Sequence, residues 1–381
     1  MRAIFDDDHE EFRRSFSSWV AKEIVPGYMD WEREGIAPRE IFASAGSHGF
    51  LGMQIPTEFG GGGSDDFRFN QVIAEEFAYA GIGGAGLGIT LHNDITTPYF
   101  IELANEEQRT RWLPAIASGE LITAIAMTEP GTGSDLASVG TTAVLDGDTY
   151  VVNGSKTFIT NGINSDLVIV VAKTDPTAKH AGMTLLVVER GMPGFDRGRN
   201  LEKIGNHSQD TAELFFDDVR IPVANRLGDE GQAFRYLSSN LAQERLSIAV
   251  TGVASARAAL NWTVEYVKDR KAFGTPIGSF QNTKFVLAEV KTAIDVAQAY
   301  VDSCVLALNA GTLSPAEAAQ AKYWCTDLQK EAADRCLQFF GGYGYTIEYP
   351  IARTYADARV TSIYGGTNEI MKTIIAKSLG L

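Results

Sequence analysis

Ala126-Met127-Thr128-Glu129-Pro130-Gly131-Thr132-Gly133-Ser134-Asp135 packs three hydroxyls, two glycines, a proline and two carboxylates into ten positions, directly after the apolar run Leu121-Ile122-Thr123-Ala124-Ile125. The change from apolar to turn-forming residues reads as a buried strand that ends in a turn. Glycine lets a backbone approach a flat ligand without interference from Cβ. Pro130 fixes the path, and Thr128 and Ser134 can hydrogen-bond ring or phosphate oxygens. By composition alone the same residues also fit an ordinary exit from strand to loop. The choice between the two rests on the rest of the chain.

At 381 residues, 45% hydrophobic and 21% charged, the chain can bury a large core and is expected to divide into two or three domains. A net charge of -15 argues against nucleic acid or an anionic membrane as partner, because neither is drawn to such a surface at long range. Any phosphate site is therefore local. Cys304, Cys325 and Cys336 show no Cys-x-x-Cys spacing and fit reduced, buried thiols of an intracellular protein. The five histidines are scattered, without metal-ligand pairing. The acidic start Asp6-Asp7-Asp8 excludes a presequence on the chain as given, and apolar runs such as Leu167 to Ala172 fall far short of the roughly 20 residues of a membrane span. The expected compartment is cytoplasmic, or the mitochondrial matrix for a processed eukaryotic chain.

Upstream of the opening stretch, residues 1–120 read as an all-helical domain. Phe12, Phe16, Trp19 and Val20 recur at helical spacing after an acidic start, and Pro26-Gly27 is expected to end that helix. Asn70 to Ala80 and Asn105 to Ser118 repeat the pattern. Gly81-Ile82-Gly83-Gly84-Ala85-Gly86 matches the dinucleotide fingerprint in letters only, since it follows a helix where the fingerprint needs a strand. Close helix packing or a turn is expected there. Downstream, residues 121–226 form a small all-β domain, with strands at Thr141–Val144, Tyr150–Val152, Leu167–Ala172, Met183–Val188 and Ala212–Phe216. Lys156-Thr157-Phe158-Ile159-Thr160-Asn161-Gly162 reads as a hairpin. Residues 227–381 return to long helices, one starting at the capping box Ser314-Pro315-Ala316-Glu317.

In the helix spanning Phe234 to Val253, Leu237, Leu241, Glu244 and Ile248 share one stripe at about 100° per residue, with Arg245 at its edge. Glu244 thus interrupts an apolar face. A carboxylate there loses hydration and its pKa rises, as a general base that must also hold a proton requires. A salt-bridged or surface glutamate fits the same pattern.

Met127-Thr128-Glu129-Pro130-Gly131-x-Gly133-Ser134-Asp135 resembles the flavin-binding signature of the acyl-CoA dehydrogenase family. The order helix, small β, helix is also that family's α+β multidomain architecture: an N-terminal helical domain, a middle β domain and a C-terminal four-helix-bundle domain. The resemblance implies FAD as cofactor, bound by Ile125, Ala126, Met127, Thr128, Gly133 and Ser134, together with Phe158, Ile159 and Thr160; Thr128, Phe158 and Thr160 would hold the ring, and Ser134 would lie toward the CoA moiety. Asp269-Arg270-Lys271-Ala272-Phe273-Gly274 with Gln281, and Gln338-Phe339-Phe340-Gly341-Gly342, are similar to segments that reach the far end of a flavin held by a neighbouring subunit. A homotetramer is implied. Without the resemblance, Arg270 is a solvated helix end and Gly341-Gly342 a helix cap.

Ser362-Ile363-Tyr364-Gly365-Gly366-Thr367-Asn368-Glu369 departs from the family at one place. Many members carry Tyr-Glu-Gly-Thr, whose glutamate is the catalytic base, whereas Gly365 cannot abstract a proton. Ala242-Gln243-Glu244-Arg245-Leu246 is similar to the long-chain and isovaleryl-type branch, in which a glutamate in Glu-Arg-Leu supplies the base. The resemblance therefore implies Glu244 as catalytic residue. Ser134, Ala242, Gln243, Arg245, Gly365 and Gly366 are then substrate-binding, and Thr367, Asn368 and Glu369 lie toward the flavin. Glu129 and Glu369 are the next carboxylates to test. An acyl-CoA substrate and an electron-transfer flavoprotein as acceptor follow by the same resemblance. A same-fold flavin oxidase or monooxygenase and a non-catalytic FAD- or CoA-binding subunit are the alternatives, the latter motivated by Gly365.

Overall fold

A computed structural model describes residues 2–381. Seven α-helices come first: α1 Asp7–Trp19, α2 Val25–Glu34, α3 Glu40–Ser47, α4 Arg68–Tyr79, α5 Gly83–Thr90, α6 Thr97–Leu103 and α7 Glu106–Ser118. Two π-helical segments, Val20–Ile24 and Leu91–Thr96, join α1 to α2 and α5 to α6. The expected stop at Pro26-Gly27 is therefore wrong. Proline needs no N–H in the first turn of a helix, so Pro26 starts α2, which ends only at left-handed Gly35. In the glycine-rich stretch that mimicked a dinucleotide fingerprint, a Cβ on Gly86 would meet the Phe77 ring at 2.6 Å. Close packing of α4 against α5 is what glycine permits there.

Eight strands follow: β1 Thr123–Ala126, β2 Thr142–Asp146, β3 Thr149–Thr160, β4 Leu167–Lys173, β5 Met183–Glu189, β6 Phe195–Asn200, β7 Thr211–Pro222 and β8 Arg226–Leu227. They form one sheet in the order β6-β7-β3-β2-β4-β5-β8, with β1 parallel to β4 (Ile125 opposite Ile169). Both faces of β4 are covered, which explains its unbroken apolar run. Leu167, Ile169 and Val171 pack with Tyr99, Phe100, Trp112 and Leu237 from the helices. Val168, Val170 and Ala172 pack inside the sheet with Tyr150, Val152 and Leu214. Lys156–Gly162 is not the expected hairpin. Lys156–Thr160 is the end of β3, paired with β7 through a bulge between Lys156 and Ile159, and the chain turns at Asn161-Gly162.

The C-terminal helices are α8 Ala233–Asp269, α9 Gln281–Asn309, α10 Pro315–Phe340, α11 Pro350–Asp357 and α12 Asn368–Ser378. Ser314 caps α10 through a reciprocal box with Glu317, as its sequence predicts. Alanine, valine and cysteine side chains of α8, α9 and α10 fill one core, which holds all three cysteines as free thiols. The α8 helix also packs on α4, so a single 37-residue element spans the molecule from the sheet to the C-terminal bundle. Among the described residues no helix is long and apolar enough to cross a membrane.

Candidate active site

The strand β1 delivers the Met127–Asp135 loop, and buried charges hold its first turn. Lys156, fully buried, donates to the Met127 carbonyl (3.1 Å) and pairs with Glu129 (2.8 Å). Glu129 also accepts from the Gly140 and Thr141 N–H groups. Burial pushes the Lys156 ammonium down to about 8. Despite partial burial, the Lys156 and Thr141 hydrogen bonds hold Glu129 below its ordinary value. Glu129 is therefore an anchor and not a free base. The Thr157 N–H donates to the Thr128 carbonyl (2.9 Å), which seats the end of β3 against this loop. The predicted ring-binding residues of both segments thus come together.

Phe158 lies at the bulge with φ 60°, and its side chain is 67% exposed. A bulky residue in the left-handed region costs of order 1–3 kcal/mol, and burial of the ring within the chain returns little of it. An exposed ring held under strain beside Met127 and Thr128, with Ile159 buried beneath, fits a flat apolar partner laid over it.

Glu244 occupies the buried face of α8 and is 3% exposed. Loss of hydration raises its pKa to about 7, against opposing contributions from a Tyr99 hydrogen bond and from Arg245. Leu237 and Ile248 share its face as expected, but Leu241 is only half-buried. Arg245, read from sequence as an edge residue, is itself buried, and its Nε has no partner. Gln243 turns to the Asp94 carbonyl (2.8 Å), and Ala242 is half-buried.

Ile248, one turn beyond Glu244, reaches Gly365: a Cβ built there would lie 2.3 Å from Ile248 Cδ1. Gly365 and Gly366 adopt φ 62° and 89°. Their N–H groups have no backbone partner. The fully buried Lys322 donates to the Gly366 carbonyl (2.8 Å) and to Asn368 Oδ1 (3.0 Å), pinning the turn on which those donors sit. Thr367 is occupied as the cap of α12, and Glu369 is exposed on its first turn. A carboxylate so placed is no candidate base. A mainly apolar cavity lies further along the same face of α8, lined by Phe77, Leu87, Thr251, Ser255 and Tyr364, with Gln329 contributing an unpartnered buried Oε1.

Arg270, Gln281, Gln338, Gly341 and Gly342 are all exposed, and Arg270 stands over the Tyr343 ring. They gather at the far end of α10. Sixteen residues separate Lys322 from Gln338 on that helix, roughly 24 Å along its axis. The candidate cofactor residues therefore form two groups within one chain. Phe273, at φ 52°, is 99% exposed beside the second group. Ser134 lies exposed in the loop with Gly133.

Sequence models of the acyl-CoA dehydrogenase N-terminal, middle and C-terminal domains match residues 6–120, 124–219 and 231–380. The chain belongs to the acyl-CoA dehydrogenase family. A mitochondrial long-chain specific acyl-CoA dehydrogenase from Sus scrofa is 47% identical over 100% of this chain and 88% of its own length. An acyl-CoA dehydrogenase from Geobacillus kaustophilus has a crystal structure 50% identical to this chain, with a TM-score of 0.97 and both chains covered in full. A glutaryl-CoA dehydrogenase from Mycobacterium smegmatis, solved in complex with FADH2, is 26% identical with a TM-score of 0.92, covering 99% of this chain and 95% of its own. The acyl-CoA dehydrogenases are FAD-dependent oxidoreductases, and the strained, exposed Phe158 beside Met127 and Thr128 fits that cofactor.

Proposed function

We propose that this acyl-CoA dehydrogenase converts a saturated acyl-CoA into the trans-2-enoyl-CoA, with Glu244 as the proton acceptor. The observation that carries this reading is the burial of Glu244 on the α8 face that meets the Gly365–Gly366 turn. Removing a weakly acidic α-proton needs a base that is ionised near neutrality yet basic enough to hold the proton, and a pKa near 7 meets both demands. The free N–H groups at Gly365 and Gly366 would donate hydrogen bonds to the thioester oxygen as charge develops on it, with Lys322 holding their turn in place. Buried Arg245, with an unsatisfied Nε, would orient the bound acyl-CoA.

FAD, when bound, supplies a hydride acceptor for the β-carbon. Ile125, Ala126, Met127, Thr128 and Gly133 on the loop, and Phe158, Ile159 and Thr160 on β3, would hold its ring, with Thr367, Asn368 and Glu369 nearby. Ser134 would lie toward the CoA moiety. The second group, Arg270, Gln281, Gln338, Gly341 and Gly342, would serve a flavin in a neighbouring copy. The separation of the two groups, and the exposed Phe273, Phe280 and Phe285, support a homotetramer. The acceptor of the electrons would be an electron-transfer flavoprotein. The mainly apolar cavity beyond Ile248 would receive the far end of the acyl chain. Residues 1–120, 121–226 and 227–381 would be the three domains, and the compartment would be cytoplasm or mitochondrial matrix.

The test is anaerobic mixing of the flavin-loaded protein with a panel of straight-chain and branched acyl-CoAs, following bleaching of the oxidised flavin band. Rapid bleaching in wild type, and its loss by 100-fold or more in Glu244→Gln with flavin retained, is expected, since a general base contributes about 10²–10⁴. Wild-type bleaching by Glu244→Gln would move the base elsewhere.

A further inference from the structure

Glu244 receives one hydrogen bond among the described residues. The Tyr99 hydroxyl donates to Oε1 at 2.9 Å, across 145 residues of sequence. Oε2 accepts none, and it is not among the sealed, unpartnered atoms of the interior. The carboxylate is therefore held at one oxygen and open at the other.

Tyr99 is built to stay where it is. Its side chain is fully buried, one turn into α6, immediately after the π-helical segment and Pro98. Its ring packs with Phe100, Trp112 and Leu237 on the covered face of β4 and β5. Burial and the neighbouring Glu244 hold the phenol pKa far above its ordinary value, so the hydroxyl keeps its proton and acts as a donor.

We propose that Tyr99 is the positioning residue of the proton-abstraction step: by donating to Oε1 it fixes the carboxylate plane and presents Oε2 to the α-proton. This rests on Glu244 being the proton acceptor. A second consequence concerns basicity. A hydrogen bond to the ionised carboxylate favours ionisation, so Tyr99 restrains the upward shift that burial imposes on Glu244.

The other charged groups of the neighbourhood do different work. Arg245 lies on the same helix and lowers the Glu244 pKa through space. Asp94, on the π-helical segment, is occupied by Asn70 (2.7 Å) and Ser247 (2.5 Å). Glu102 on α6 faces Tyr99, and Lys322 on α10 faces Arg245. None of these donates to the base.

The experiment compares flavin-loaded wild type, Tyr99→Phe and Glu244→Gln, reading the pH dependence of kcat/KM and of anaerobic bleaching. The hydroxyl is lost in Tyr99→Phe while the packed ring remains. Flavin content and Tm are expected to stay near wild type. The acid limb is expected to move up by about one pH unit and the alkaline plateau to fall about tenfold. Meta-fluorotyrosine at position 99 keeps the hydroxyl, makes it a stronger donor and is expected to move the limb down. A Tyr99→Phe profile superimposable on wild type, or a limb indifferent to fluorination, overturns the proposal while Glu244→Gln remains inactive. Should Glu244→Gln keep its turnover, the base assignment fails instead. If Tyr99→Phe does not fold, the fluorotyrosine protein decides.

Discussion

Removing the base is expected to make the protein more stable, and the gain has a definite pH dependence. Glu244 has a native pKa near 7 against an ordinary 4.5, with desolvation as the largest cause. Between those values the native state holds a proton that the unfolded chain has released. Stability contributed by that proton is fully present below pH 4.5 and is lost as pH rises through 7. At about 1.36 kcal/mol per unit, the full loss is about 3 kcal/mol, and most of it falls between pH 5 and pH 8. In Glu244→Gln the amide has no charge to bury, and its oxygen can still accept from Tyr99. The variant is therefore expected to unfold at nearly the wild-type temperature at pH 5 and several degrees higher at pH 8. The assay is thermal unfolding of both flavin-loaded proteins at pH 5, 6.5 and 8, followed by far-UV circular dichroism. A difference that does not change with pH, or a wild type that is the more stable protein at pH 8, refutes a buried Glu244 carboxylate ionising near neutrality.

Lys156→Met is expected to leave Glu129 without its cation and the Met127 carbonyl without a donor; breaking a buried pair in this way costs about 3–5 kcal/mol. A lowered Tm and loss of bound flavin on gel filtration check this, and unchanged values of both count against the anchor reading. Phe273→Asp places a charge on a fully exposed ring, and light scattering is expected to report smaller species than wild type, with flavin released. Retention of the wild-type mass would show that Phe273 lies outside the subunit contact.

The order of helix, sheet and helix was legible because strand and helix periods differ and the change falls at Leu121 and again near Gly228. Glu244 was legible as a carboxylate on an apolar stripe. Tyr99 was not, since a hydrogen bond across 145 residues leaves no mark in local periodicity. An aromatic hydroxyl within the buried Pro98-Tyr99-Phe100 run, which needs a partner for its O–H, was the available signal. Lys322 escaped notice for a similar reason: helical lysines are ordinarily solvated, and this one is committed to Gly366 and Asn368. The expected stop at Pro26-Gly27 failed because a π-helical segment carried the chain into a new first turn, where proline is at home. The strand β6 was missed because Phe195-Asp196-Arg197-Gly198-Arg199-Asn200 is a polar edge with a single apolar anchor. The hairpin expected at Lys156–Gly162 failed in its pairing: a turn does follow at Asn161-Gly162, but the strand it ends pairs with β2 and β7 and not with the next strand, β4.

The contact between Ile248 and Gly365 also constrains how such a chain can change by descent. A side chain at 365 meets a left-handed backbone and the tip of Ile248 at once. Transferring the carboxylate from 244 to 365 is thus not one substitution. The isoleucine tip must rotate away as well, and a side chain at 365 then still sits on a strained backbone that moving Ile248 does not relieve. The barrier between the two locations for a base is therefore the left-handed backbone at 365, which glycine adopts freely and a carboxylate-bearing residue adopts only at a cost.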